Sequence, residues 1–259
     1  VVRSLATFFV VLYMAVLAAL YFLQDSLMFP APPFERSPLP SNAVAHSIQT
    51  TDGKTLRPIE LQASDAAAPY VLFFHGNGGS AERELPRASK FVNAGFNVLL
   101  AEYRGYGGSS GSPTAENLLA DALLQFDWLR EQTDARVYVK GHSLGSGAAM
   151  YVAANRDVRA VLLEAPYTST KDIAQDAYPF VPVGLLFKHN IPSNEFIKDV
   201  IEPIMILHGT DDRVIPIRYG KALHEISKKG SFVEIPGAGH WLPSHGSVEM
   251  AIEFFKSQD

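Results

Sequence analysis

The sequence predicts an α/β domain whose mostly parallel, twisted sheet is flanked by helices and preceded by one apolar helix. Three observations predict it. Short runs rich in β-branched and aromatic residues alternate with longer helical stretches from residue 70 onward, and such alternation builds parallel sheets covered on both faces. Asp52-Gly53 lies between two strand-like runs, a strong two-residue hairpin signal that places antiparallel strands at the start of the domain. Residues 4–23 carry no charge and are mostly apolar, which as a helix covers about 30 Å, the thickness of a bilayer core.

Taken in chain order, residues 1–25 read as a transmembrane anchor. A cleaved signal peptide is the alternative, but its apolar region is shorter, and Ala18-Ala19-Leu20-Tyr21 is a poor small-x-small cleavage site. Arg3 beside the amino end points that end to the cytoplasm, so a single-pass protein with its folded domain on the non-cytoplasmic side is expected. Residues 26–43 form a Pro-rich connector, because Pro30, Pro32, Pro33, Pro38 and Pro40 cannot continue a helix. The domain proper is expected over 44–259. Strands 44–51 and 55–61 form the opening hairpin; further strands fall at 70–74, 96–101, 136–140, 158–163, 204–207 and 232–235. Helices are expected at 81–93, 115–131, 144–155, 217–227 and 246–256. The stretch 165–202 breaks this rhythm and reads as a short helical cap, since long insertions in compact domains are usually lids or binding loops. Its Tyr178, Phe180, Leu185 and Leu186 either line a pocket for an apolar chain or hold the cap to the core.

Composition narrows the partners. A chain of 259 residues with 47% hydrophobic residues is long enough for one large domain plus an appendage. The net charge of -5 and the lack of a Lys/Arg stripe argue against a nucleic-acid partner. The chain contains 0 cysteines, which excludes a disulfide framework and a thiol nucleophile. His-Glu-x-x-His and similar spacings are absent, so no metal and no cofactor is expected. Oligomeric state is not readable from these features.

The chemistry is carried by Gly141-His142-Ser143-Leu144-Gly145, a Gly-x-Ser-x-Gly pattern between a β-like run and an alanine-rich helical run. On so tight a strand-to-helix turn the flanking glycines let the chain reverse while the Ser143 hydroxyl projects towards substrate. Serine alone is a poor nucleophile at neutral pH, so a base and a group to orient it are expected further along. The strand at 204–207 runs into His208-Gly209-Thr210-Asp211-Asp212, which offers two candidate acids on a strand-end loop. The last strand runs into Gly237-Ala238-Gly239-His240, which offers the base. Glu164 is a remoter candidate acid. His75, His142 and His208 read as partners of loop backbone, and His46, His189, His224 and His245 as surface residues. The amide of Leu144, next to the serine and at a helix start, is placed to face a developing oxyanion.

These blocks, together with His75-Gly76-Asn77-Gly78, the Tyr103–Ser109 loop and Tyr178-Pro179-Phe180-Val181-Pro182-Val183, resemble the serine α/β-hydrolases. They are most similar to a group with one amino-terminal anchor and a domain related to depalmitoylating hydrolases. The resemblance covers nearly everything after residue 25. It implies the α/β-hydrolase fold, with Ser143 as nucleophile, His240 as general base and Asp212 rather than Asp211 as the orienting acid, because the family loop reads Gly-x-x-Asp-x-x-Ile/Val. It also implies the Asn77 amide as the second oxyanion donor. The expected activity is hydrolysis of carboxylic esters of lipid-like or acylated substrates. A protein or acyl thioesterase is the alternative within enzymes, and an anchored, non-catalytic binding protein on a hydrolase fold is the alternative outside them.

Overall fold

The computed structural model describes residues 2–34 and 38–258; Val1 of the expected anchor, Glu35, Arg36 and Ser37 of the expected connector, and Asp259 lie outside the described residues. Helix α1 spans Val2–Met28, so it continues past residue 25, and an extended stretch follows it. The hairpin at Asp52-Gly53 forms in two pieces. Strands β1 (Ala43–Ala45) and β4 (Ile59–Leu61) pair antiparallel, and β2 (Ile48–Gln49) and β3 (Thr55–Leu56) pair separately. Pro58 interrupts the expected continuous strand because it has no N–H to give the ladder; its carbonyl still accepts from His46 N at 2.9 Å.

Strands β5 (Tyr70–Phe74), β6 (Asn97–Leu100), β7 (Val137–His142), β8 (Val161–Glu164), β9 (Ile204–Gly209) and β10 (Gly230–Ile235) complete an 8-stranded sheet in the order β1-β4-β6-β5-β7-β8-β9-β10. From β6 to β10 every neighbour pair is parallel. Every residue of β5 to β8 is buried, which explains their near-continuous apolar runs rather than alternation. Helices α2 (Ala81–Asn93) and α9 (Ser247–Ser257) cover one face. Helices α3 (Ala115–Gln132), α4 (Leu144–Asn155) and α8 (Arg218–Ile226) cover the other. Phe96 and Tyr138 lie 6.2 and 4.8 Å from the Phe255 ring, and each such buried aromatic contributes about 1.5–3 kcal/mol. They lock α9 onto the sheet.

The segment after β8 folds as expected into short helices: α5 (Thr170–Ala177), α6 (Val183–Leu186) and α7 (Ser193–Phe196). This cap lies over the carboxyl ends of the strands, where open α/β sheets place their ligands. It also packs against α1, so the apolar helix is a neighbour of the site.

Candidate active site

Ser143 sits between β7 and α4 at φ 52°, ψ -120°, a strained conformation for a residue with a side chain. Its neighbours hold it there. Its amide donates to Glu164 O at 2.9 Å and its carbonyl accepts from Ser146 N at 2.9 Å. A side chain at Gly145 would collide with the backbone of Phe74, and one at Gly141 with the carbonyl of Gly145, which is why both flanks of the turn are glycine.

His240 Nε2 lies 2.8 Å from Ser143 Oγ, and His240 Nδ1 lies 2.8 Å from Asp212 Oδ2. A carboxylate beside Nδ1 can only accept, so that nitrogen carries the proton and Nε2 is left to accept from the serine hydroxyl. Asp212 is fixed in turn, since its Oδ1 accepts from Val214 N at 2.8 Å and Ile215 N at 2.9 Å. Burial alone would raise the Asp212 carboxyl, but hydrogen bonds from His208 and His240 outweigh it and hold the group well below its ordinary value. Asp212 is therefore ionised throughout the physiological range. The Asp211 carboxylate faces solvent and accepts from Thr210 Oγ1 at 3.1 Å, while its backbone amide donates to Ala238 O at 2.9 Å.

Glu164 is not at the serine's side but beneath it. It is fully buried, with Oε2 2.5 Å from Lys140 Nζ and 3.1 Å from Arg87 Nη1. Arg87 also meets Glu84 at 2.5 Å. Burial would raise Glu164, but Lys140 and Arg87 hold it down at about 2. Burial depresses the adjacent His142 well below its ordinary value, so it is neutral where its ring packs on His240, centroids 5.2 Å apart.

The Asn77 loop is braced from below. His75 Nδ1 lies 2.8 Å from Gly76 O, and its Nε2 lies 2.8 Å from Glu102 Oε1. Burial alone would lower His75, but Glu102 raises it above its ordinary value. Both ring nitrogens face acceptors, the Gly76 carbonyl and the Glu102 carboxylate, an arrangement that favours the protonated ring. Among the described residues neither the Asn77 nor the Leu144 amide donates to a protein atom, which leaves both free to face a ligand.

Two cavities meet at Ser143 and Asn77. One, of about 300 Å³, is almost wholly apolar and lies between α1 and the cap; this is at the small end of ligand sites, which run from about 300 to 1,000 Å³. The other, of about 280 Å³, is walled by Arg83, Glu84, His142, His240 and Trp241. Of the expected pocket residues, Tyr178 and Leu186 line the apolar cavity. Phe180 and Leu185 do not: they are 87% and 86% exposed, because the turn and short α6 that carry them direct them away from the core. His189, expected at the surface, is buried and bonds Asp25 at 2.7 Å. The sequence reading also missed the wall that α1 supplies. The polar pair Gln24-Asp25 at the end of an otherwise apolar helix was the available signal.

Among the described residues there is no cluster of His, Cys, Asp and Glu that could hold a metal ion.

Comparison with known proteins agrees with this architecture. A family model described as serine aminopeptidase, S33, matches residues 65–196. An uncharacterized protein of Mycobacterium tuberculosis is 33% identical over 198 residues, covering 74% of this chain and 70% of its own length. Lysophosphatidylserine lipase ABHD12 of Xenopus tropicalis is 30% identical over 197 residues, covering 68% of this chain. This chain spans only 50% of that lipase's length. The solved esterase Pf2001 of Pyrococcus furiosus superposes with a TM-score of 0.71 at 17% identity, covering 88% of this chain and 97% of its own, which shows the shared fold. The chain belongs to the matched hydrolase family, within the serine α/β-hydrolase superfamily. It is thus a hydrolase-family protein with lipase and esterase relatives.

Proposed function

We infer that this protein is a membrane-anchored serine hydrolase that cleaves the carboxylic ester between a long acyl chain and a polar group. The observation that carries this reading is the Ser143–His240–Asp212 hydrogen-bond chain at the junction of an apolar and a polar cavity. The acyl chain occupies the apolar side and the leaving group the polar side. His240 Nε2 takes the Ser143 proton as Oγ attacks the acyl carbon, and the Asn77 and Leu144 amides hold the oxyanion. The imidazolium then protonates the leaving alkoxide. Water, deprotonated by His240, attacks the acyl-enzyme and releases the carboxylic acid.

The lysophosphatidylserine lipase named among the relatives supports an ester joining one acyl chain to a polar headgroup. The apolar cavity contains no carboxylate, and Glu84 of the polar cavity is already paired with Arg87. Among the described residues neither cavity therefore offers a free anion for the ammonium of a peptide amino terminus, which favours an ester over an aminopeptidase substrate. A thioester would pass through the same steps and is the alternative substrate class. Helix α1, 26 residues over Arg3–Met28 and apolar enough to cross a membrane, is read as the anchor.

The test is hydrolysis of p-nitrophenyl esters of increasing chain length by purified protein in mild detergent, beside Ser143→Ala and beside a thioester of the preferred acyl group. Serine-dependent turnover with an optimum at long chains supports the reading. Equal activity in the variant, or none at any length, overturns it.

A further inference from the structure

Helix α1 meets the cap along one face, and that face carries polar contacts that a simple tether does not need. Gln24 is buried; its Nε2 donates to Leu186 O at 3.2 Å and its Oε1 accepts from Lys188 N at 2.8 Å. Asn77 Nδ2 donates to Met28 O at 2.8 Å, and Tyr13 OH donates to Phe180 O at 2.7 Å. From Tyr13 to Met28 the helix runs about 22 Å, clasped to the cap at Tyr13 and Gln24 and to the Asn77 loop at Met28. Between the clasps Leu20, Tyr21 and Leu27 face Ile173, Ala177 and Val181 across the apolar cavity, and Ser143 lies at its inner end.

The outer edge of this cavity is apolar and open. Tyr21, Leu27, Tyr178 and Val214 line the cavity and are also exposed. Phe180, at the cap tip, stands beside Tyr13, about 16 Å from Gln24 along the helix axis, whereas Leu185 lies back towards Gln24, which bonds its neighbour Leu186. A hydrocarbon layer about 30 Å thick that holds residues 4–23 therefore holds the cap tip as well. Phe180 carries no charge and is almost fully exposed, as expected of a side chain solvated by lipid.

We propose that the gap between α1 and the cap is a portal opening into the hydrocarbon of the bilayer, and that α1 is one wall of the acyl site. A single acyl chain passes from the leaflet between Tyr21 and Tyr178, and then along Leu27 to Ser143. This rests on the anchored ester-hydrolase reading and goes further, because it makes the membrane helix part of the substrate site.

Two measurements on the full chain in phosphatidylcholine vesicles test it. The first photolyses palmitic acid bearing a terminal diazirine and maps the adducts. Adducts on both the Leu20–Met28 stretch and the cap stretch 173–187 are expected; adducts on the cap alone, or on neither, overturn the portal. This readout needs no turnover, so adducts without Ser143-dependent hydrolysis would count against the hydrolase reading and leave the portal standing. The second measures hydrolysis. The double variant Phe180→Asp, Leu185→Asp should lose about tenfold or more on a palmitoyl ester held in vesicles, since a carboxylate is expelled from hydrocarbon, and keep its rate on p-nitrophenyl butyrate in water. Leu20→Trp should lower the palmitate-to-butyrate ratio of kcat/KM by about tenfold. If active protein shows neither change, the portal falls while the hydrolase reading stands.

Discussion

The floor beneath Ser143 and the cavity beside it are held together in opposite ways. Beneath, Glu164, Lys140, Arg87 and Glu84 form a buried chain of charges, and every strand that carries a loop of the site is paired on both sides, except β10 at the sheet edge. Beside, α1 and the cap meet around an apolar gap through Tyr13 and Phe180 at one end and, at the other, Gln24 and Asp25 with Leu186, Lys188 and His189. The floor must keep a strained serine and a three-residue hydrogen-bond chain in place, so it is rigid and ionic. On the proposed reading the cavity admits and releases an acyl chain, which its apolar lining suits. One fold thus separates the position of the chemistry from the choice of substrate, and each half fails differently when altered.

The largest effect is expected where the floor meets the chemistry. Asp212→Asn removes the acceptor that fixes the His240 tautomer, and kcat should fall about ten-thousand-fold with little change in KM. A loss confined to KM would contradict the role given to Asp212.

Next comes the buried charge chain. Glu164→Gln leaves Lys140 and Arg87 buried without their shared anion, and should cost about 3–5 kcal/mol in urea unfolding. The same residue sets an acid dependence. Its carboxyl falls from the ordinary 4.5 to about 2 on folding, so the ionised form favours the native state. Its contribution is complete above about pH 4.5 and is lost as pH falls towards about 2. Wild type should therefore lose stability across that window more steeply than Glu164→Gln, and equal slopes would remove Glu164 from the account.

The smallest effect is expected at the clasp. Gln24→Ala leaves Leu186 O and Lys188 N without partners, at about 1–3 kcal/mol, read as earlier proteolysis of the cap rather than as global unfolding. If Gln24→Ala lowers the global unfolding midpoint as far as Glu164→Gln does, the two regions are not separate and the comparison fails.

The same division decides what was legible in the sequence. Ser143, His240 and the Asp211-Asp212 pair each follow a predictable strand, flanked by glycines and short motifs, so local pattern and order along the chain offered them as candidates; the choice of Asp212 over Asp211 needed the resemblance to the hydrolase loop. Helices α2 and α4 begin and end where expected, because caps and breakers are local too. The charge chain was not legible. Lys140 reads as an ordinary strand-end lysine, and its burial depends on Glu164 and Arg87, which are distant in sequence. The α1 wall was only half legible: the polar pair Gln24-Asp25 in an apolar helix signals a partner, but its partners Leu186, Lys188 and His189 are distant in sequence. The outward turn of Phe180 and Leu185 likewise depends on how the cap seats on α1, whereas their apolar character alone suggested a pocket.

The most direct test of the central claim is intact-mass and peptide-level mapping after reaction with a long-chain alkyl fluorophosphonate, in wild type and Ser143→Ala. The account predicts one adduct, on the Ser143 peptide, absent from the variant, with labelling slowed as the alkyl chain is shortened to ethyl because the apolar cavity is left unfilled. No adduct on Ser143, or labelling that persists in Ser143→Ala, would contradict it.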